Sequence, residues 1–536
     1  MLLHDGFVEK AKRYPDAHAL VSAGKAVSYG EIHRRCDALA ASLAGYGVKR
    51  GDRVVIFMDN SVAAVVSLYA ILKTGAIMVP ISPLTKADKL GFILEDAQAA
   101  AFISDVHMRS VYEKAWERYK PAIIIVSDGD KHEAAYDARA LDQSAFVGMY
   151  PAAGTIDQDL AAIIYTSGST GAPKGVMLTH NNMVSAAQTV SKYLGLTAAD
   201  RILCCLPLAF DYGLYQVLMG FMVGACVILE RSFAYPAAVV KIMAQERVTV
   251  FPGVPTIFSM LLGREGILDA FDCRSVRTIT NTAASLPPEH IKRLKARFPN
   301  ARIFSMYGLT ECKRVTYLEP EDLESRPTSV GRGMPNEEVY LIDAQGRRLP
   351  PGSVGELVVR GSHVMRGYWR RPEETAKCLK PGPYPGESVL HTGDLFHMDE
   401  DGYLYFVGRS DDIIKSRGEK VSPKEVENIL YALPSVCEAA VIGVDDEILG
   451  QAVHAFVVLD PEARVTERDI LQHCHELLES HMVPKVVHIV PALQKTDTGK
   501  IRKTGLAAAA RVKMRDMANN VAMINQAFKE ERERMR

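Results

Sequence analysis

From Tyr165 to Gly175 the chain reads Tyr-Thr-Ser-Gly-Ser-Thr-Gly-Ala-Pro-Lys-Gly, directly after the apolar run Ala161–Ile164. Glycines let backbone N–H groups approach phosphate oxygens, hydroxyls add donors, and Lys174 adds a point charge, so this spacing predicts a phosphate-binding loop. It is not a Walker A loop, because that pattern would need Gly in place of Pro173 and Ser or Thr in place of Gly175. Two further groups of polar residues lie far away in sequence. Met306-Tyr-Gly-Leu-Thr-Glu311 brings a glycine turn, a hydroxyl and a carboxylate to the end of an apolar run, where open α/β sheets bind ligands. His391-Thr-Gly-Asp394 offers another carboxylate, Gly408-Arg409 a cation, and Gln494-Lys-Thr-Asp-Thr-Gly-Lys500 a second lysine-bearing loop.

These residues need rigid elements to position them. Short apolar runs alternate with helix-period stretches up to Ser305: Arg53–Met58, Ala76–Pro80, Ala101–Ser104, Ala122–Val126, Leu160–Tyr165, Ala225–Leu229, Val248–Phe251 and Arg302–Ser305. This rhythm predicts an α/β fold with buried, mostly parallel sheets. From about residue 330 the texture changes to Gly/Pro punctuation and short alternating strands, which predicts an antiparallel or barrel-like subdomain. A polar, turn-prone stretch at 408–412 then precedes a new α/β unit opening with Pro423–Leu430. The expected domains are 1–408, with 330–408 the barrel-like part, a hinge at 409–412, a C-terminal domain at 413–505 and a helical tail at 506–536. In that tail Met514, Met517, Val521, Ile524 and Phe528 form a single apolar seam, which suits either docking on the body of the protein or self-association into an oligomer.

Composition narrows the function. The chain has 536 residues, 63 Lys and Arg against 64 Asp and Glu, and 48% hydrophobic residues. A net charge of −1 gives no field for nucleic acid or an anionic membrane. Nine scattered cysteines without a CxxC pair fit a reducing compartment, and Asp5 and Glu9 interrupt what would have to be the apolar core of an export signal. A cytoplasmic protein is expected. Tyr212–Leu229 holds 18 uncharged residues, but Gly213, Gly220 and Gly224 break it, so a buried helix running into a buried strand is expected rather than a membrane span. His473, His475 and His481 invite a metal reading, yet the helical apolar face around Cys474 points to packing.

In order and spacing, the motifs quoted above resemble the core motifs of the adenylate-forming superfamily, which comprises acyl-CoA synthetases, amino-acid-activating adenylation domains and luciferases. The resemblance runs from Val27-Ser-Tyr-Gly-Glu31 to about Lys503. It implies a large N-terminal portion of two α/β sheets plus a distorted β-barrel, and a small mobile α+β C-terminal domain with Asp411 at the hinge pivot. It implies that ATP and a carboxylic acid give an acyl-adenylate and pyrophosphate, and that a thiol then takes the acyl group. The loop Thr166, Ser167, Gly168, Ser169, Thr170, Gly171 and Lys174 would hold the β- and γ-phosphates. Thr310 would contact the α-phosphate and Glu311 would hold Mg²⁺. Tyr307 and the Asn281-Thr282-Ala283 segment would lie along the adenine, although that segment departs from the more glycine-rich usual pattern. Asp394 would accept from the ribose hydroxyls with Arg409 assisting, and Lys500 would bridge the substrate carboxylate and the α-phosphate.

The acid itself is less sharply specified. Tyr212, Tyr215, Thr256, Asn281, Met306 and Arg314 are the residues the resemblance places around it, and they are mixed in size. In amino-acid-activating relatives an Asp at the position of Asp211 pairs with the substrate α-amino group, which favours an amine-bearing acid loaded on the phosphopantetheine of a carrier protein. The alternatives are that Asp211 caps the following helix, or that it pairs internally with Arg314; Arg314 could equally receive a second carboxylate. A CoA synthetase acting on a fatty, aryl or other organic acid is the close functional alternative. A non-catalytic nucleotide-binding regulator is the third, against which the full set Lys174, Glu311, Asp394, Arg409 and Lys500 speaks.

Overall fold

The structure is a computed structural model that describes residues 1–127, 132–133, 154–167, 173–263, 266–283, 286–409, 412–417, 419–446, 448–495, 501–503 and 505–510. The α/β rhythm of the sequence is realised as two large sheets. In the nine-stranded sheet the order is Arg332–Gly333, Thr316–Leu318, Arg302–Tyr307, Thr278–Asn281, Val250–Gly253, Arg201–Cys204, Cys226–Leu229, His18–Ser22 and Lys25–Ser28. Its six central strands run parallel, from Arg302–Tyr307 through His18–Ser22. The eight-stranded sheet likewise has a parallel centre, made by Leu160–Ser167, Ile77–Ile81, Arg53–Phe57, Ala101–Asp105 and Ile123–Ser127. Burial on both faces explains why these strands read as continuous apolar runs rather than alternating ones.

After residue 330 the pairing turns antiparallel, as the change in texture predicts. Glu337–Ile342, Val354–Gly361, Ser388–Met398 and Leu379–Pro381 form a sheet in that order, and Leu404–Arg409 pairs with Ser388–Met398. The last sheet contains the long hairpin Val436–Asp446 with Gly450–Leu459. Helices Pro423–Tyr431 and Glu467–Leu477 cover it through Val426, Leu430, Ile470 and Cys474. Cys474 is thus a core residue, and His473 points its Nε2 to the Ile429 carbonyl at 3.0 Å. The fold is a mixed α/β architecture with a large N-terminal and a smaller C-terminal domain. Two compact units divide the chain, one comprising Met1–Leu286, His290–Gly393 and Met398–Tyr405, the other Pro287–Glu289, Asp394–His397 and Phe406–Arg536.

The uncharged stretch at 212–229 is a helix, Asp211–Val223, followed by the buried strand Cys226–Leu229. Gly224 ends the helix at φ 91°, a left-handed conformation that glycine adopts without a Cβ penalty. Gly213 lets the helix start against the preceding loop, since a Cβ there would lie 2.3 Å from the Pro207 carbonyl oxygen. Phe7, Tyr29, Tyr69 and Phe221 pack around its far end. Among the described residues no helix is long and apolar enough to cross a membrane. The seam from Met514 to Phe528 lies outside the described residues.

Candidate active site

Four neighbouring parallel strands end at Cys204, Gly253, Asn281 and Tyr307, so the segments following them share one edge of the sheet. Asp211, Thr256, Thr282 and Thr310 all lie on these segments. This is the edge at which open parallel sheets present ligand-binding loops.

The segment after Tyr307 folds back on itself. Thr316 returns opposite Tyr307 in antiparallel register, and the Val315 amide donates to the Tyr307 carbonyl at 2.9 Å. Gly308 is essential to this turn because a Cβ would come within 2.3 Å of the Lys313 carbonyl oxygen and 2.9 Å of the Arg314 Cα. Lys313 sits at φ 61°, a left-handed conformation rare for a residue with a Cβ. Held by the surrounding packing, that strain belongs to a turn in which two successive long cations are both buried, Lys313 at 4% exposure and Arg314 at 1%.

Lys313 Nζ donates to Asp211 Oδ2 at 3.1 Å. It also lies 3.9 Å from the centre of the Tyr215 ring. Burial, with Arg314 next to it, outweighs the attraction of Asp211 and brings the Lys313 ammonium down to about 7. Asp211 is the first residue of its helix and makes no capping hydrogen bond; Phe210 occupies the cap position. Neither alternative drawn from sequence for Asp211, helix cap or Arg314 pair, describes it: Lys313, one residue earlier, is the partner because its left-handed backbone brings it to the helix start. Arg314 instead stacks on Tyr212, its guanidinium carbon 5.0 Å from the ring centre. Tyr212 is fixed in turn by its hydroxyl, which meets the Thr280 carbonyl at 2.9 Å and the Thr280 hydroxyl at 2.5 Å. Met306 is buried and receives the Tyr193 hydroxyl on its sulfur at 3.1 Å, while the Tyr215 hydroxyl reaches the Met183 carbonyl at 3.5 Å.

A second cluster gathers Glu311. The Tyr368 hydroxyl donates to Glu311 Oε1 at 2.7 Å, and Lys174 Nζ lies 5.5 Å from the centre of the same ring. Tyr368 thereby brings the lysine of the glycine-rich segment and the carboxylate of the Tyr307 segment to one place. Burial and the adjacent Glu311 carboxylate push the Tyr368 hydroxyl upward, which keeps it a donor. Lys174 and Thr166 face each other as partners in the antiparallel hairpin Leu160–Ser167 with Pro173–Thr179. Gly168, Ser169, Thr170 and Gly171, which follow Ser167 in the chain, lie outside the described residues, and so do Lys500 and Asp411; of Ser167 only the backbone is described.

Asn281 ends its strand, buried, beside Ser305 of the next strand, and Thr282 is buried after it. Ala283 has φ 74°, so the chain reverses there without a glycine. In the second unit Arg409 Nε donates to Asp394 Oδ1 at 3.0 Å, and Asp394 is buried. The structure thus groups Asp211, Tyr212, Tyr215 and Arg314, groups Lys174 with Glu311, and pairs Asp394 with Arg409. Sequence reasoning missed the roles of Lys313, Tyr193 and Tyr368. For Tyr368 a signal existed in Arg366-Gly-Tyr-Trp-Arg-Arg371, an aromatic pair between cations; for Lys313 the side that it faces depends on the local left-handed backbone, which composition does not reveal.

Comparison with known proteins decides the family. The sequence model described as AMP-binding enzyme matches residues 7–369, and the one described as AMP-binding enzyme C-terminal domain matches residues 425–500. The chain belongs to the AMP-binding enzyme family. A long-chain-fatty-acid–CoA ligase of Escherichia coli is 31% identical, with 96% of each chain covered. A feruloyl-CoA synthase of Amycolatopsis is 34% identical over 92% of this chain and 96% of the relative. Among solved structures, an anthranilate CoA ligase in complex with anthranoyl-AMP superposes with a TM-score of 0.87 at 28% identity, covering 95% of this chain and 97% of that one. As a member of the AMP-binding enzyme family the protein is an AMP-forming acid–thiol ligase.

Proposed function

We propose that the protein is an acyl-CoA synthetase that adenylates a small carboxylic acid with ATP and transfers the acyl group to free CoA. The observation that carries this reading is the Asp211–Lys313 ion pair. The carboxylate that would anchor a substrate amine already has a buried cation 3.1 Å away, so an added ammonium would meet a carboxylate that is already paired, beside the further positive charge of Arg314. The amine-bearing acid and its carrier protein therefore lose their main structural support. The relatives described above, CoA ligases by their printed names, lean the same way.

Attack of a carboxylate on the α-phosphorus brings two anions together, so this chain's work is neutralisation and positioning. Lys174 and the hydroxyl-rich segment from Thr166 to Gly171 bind the β- and γ-phosphates. Thr310 donates to the α-phosphate. Glu311 is suited to Mg²⁺: its Oε1 is oriented by a phenol and, among the described residues, no cationic side chain lies within ion-pair distance of it. The metal, when bound, screens the phosphate charge. Tyr307 and the segment from Asn281 to Ala283 border the adenine, and Asp394, oriented by Arg409, accepts from the ribose. The resemblance to the family assigns Lys500 to the α-phosphate and substrate carboxylate and Asp411 to the hinge; both lie outside the described residues.

Incubating the protein with ATP, Mg²⁺, CoA and a panel of acids, with mass spectrometry for AMP and acyl-CoA, tests this reading. Acid-dependent acyl-CoA with stoichiometric AMP is expected. Acyl-AMP that accumulates with CoA but is discharged onto a phosphopantetheinylated carrier protein would replace CoA by the carrier.

A further inference from the structure

We infer that the acid bears a second acidic group, and that Arg314 receives it; this rests on the acid-activation reading given above. Arg314 is 1% exposed, yet its guanidinium makes no hydrogen bond and has no carboxylate within ion-pair distance among the described residues. Its Nε is buried without a hydrogen-bond partner, and its guanidinium carbon lies over the face of Tyr212, 5.0 Å from the ring centre. Arginine stays charged in proteins, so proton loss offers no relief. A guanidinium left in this state is costly, and an aromatic face recovers only part of the lost hydration.

The neighbours add to the imbalance. Lys313 and Arg314 bring two cationic side chains to a cluster in which, among the described residues, Asp211 is the carboxylate in ion-pair contact, and it is held by Lys313. Glu337, another buried carboxyl, lies 2.9 Å from the His363 Nε2, and burial pushes it well above its ordinary range, toward the neutral acid. It does not pair with Arg314. What is missing is one anion with two oxygens in the plane of a guanidinium, the geometry of a carboxylate.

Its position says to which molecule that anion belongs. The Arg314 Cα packs on Gly308, between Tyr307 and Thr310, so the guanidinium belongs to the same turn as the groups proposed to handle adenine and α-phosphate. The Tyr212 on which it stacks is tied to Thr280, next to Asn281. An acid whose reacting carboxylate meets the α-phosphate at Thr310 would place its far end near this arginine. Lys313 neutralises Asp211 and thereby prevents the protein's own carboxylate from filling the role.

The test is acid-dependent ATP–pyrophosphate exchange with succinate, glutarate and adipate, each against its monomethyl ester, in the full-length wild type and in Arg314→Met and Arg314→Lys. For at least one chain length the diacid should exceed its ester in kcat/KM by about 30-fold or more, the worth of one buried charge pair. Arg314→Met should bring the diacid down to the level of the ester through KM, and Arg314→Lys should keep part of the preference. Without any acid, Arg314→Met should raise Tm, because an unpaired buried charge is removed; a purely structural arginine would give a lower Tm. Equal kcat/KM for diacid and ester at every length, alongside exchange with monocarboxylic acids, would overturn the inference and leave the ligase reading standing. A diacid preference that survives Arg314→Met would overturn it too. Exchange with no acid at all would remove both.

Discussion

Asp211 and Lys313 lie 102 positions apart in the chain and 3.1 Å apart in the fold, as a buried ion pair at the edge of the nine-stranded sheet. The pair joins the first turn of the Asp211–Val223 helix to the reversal after Tyr307, two segments that follow different strands. It also leaves Arg314, among the described residues, without a carboxylate within ion-pair distance.

Breaking this pair from one side should be costly. At pH 5, where Lys313 is protonated in the fold, Asp211→Ala leaves it buried beside Arg314 without its carboxylate partner, and a loss of about 3 kcal/mol is expected, shrinking toward neutral pH as the lysine gives up its proton. Adding Lys313→Met to that variant should recover most of it, which urea denaturation of the two single variants and the double variant would measure. Losses that simply add would show that the two residues do not interact.

The pair also carries a pH signature. Lys313 titrates near 7 in the fold and near 10.4 when unfolded, so between these values the unfolded chain binds the extra proton. Stability from this residue is therefore lowest below pH 7 and rises toward pH 10, by at most about 1.4 kcal/mol per pH unit. The stability difference between wild type and Lys313→Met, followed from pH 6 to 9, should shift in favour of wild type as pH increases. A difference that stays flat would place the ammonium of Lys313 in contact with water.

Tyr368 positions Glu311, so its hydroxyl should matter chiefly for the metal. Tyr368→Phe is expected to raise the Mg²⁺ concentration at half-maximal pyrophosphate exchange about 10- to 100-fold. At saturating Mg²⁺ most of kcat should return. A fall in kcat that Mg²⁺ does not repair would give the phenol a direct part in the chemistry instead.

Lys500→Ala should separate the two half-reactions. Adenylation should fall by about 10³-fold or more, since a preorganised charge at the α-phosphate is lost. Thioester formation from a supplied acyl-adenylate should largely persist. Equal loss of both would contradict the role assigned to Lys500.

Much of the architecture is legible in the sequence because doubly covered strands must be largely apolar: Arg53–Phe57, Ala101–Asp105 and Cys226–Leu229 announce themselves by their apolar runs. The helix at Asp211–Val223 is legible for a different reason, since its glycines and flanking charges argue against a membrane span. The polar residues of the site are visible as motifs, because phosphate and metal chemistry demands particular residue types. Their partners are not visible. Asp211 finds Lys313 rather than Arg314 through a single left-handed residue, and Tyr368 reaches Glu311 across 57 positions through a two-stranded bridge to Pro173–Thr179. Such pairings depend on tertiary geometry, and residue order alone does not encode them locally.

Acid-dependent ATP–pyrophosphate exchange across amino acids and non-amine acids, in wild type and Asp211→Ala side by side, tests the account most directly. With Lys313 occupying Asp211, the exchange should be supported by acids without an amine, and amino acids should give none. Exchange driven by an amino acid and abolished by Asp211→Ala, with the variant still folded, would contradict it and return Asp211 to the role of amine anchor.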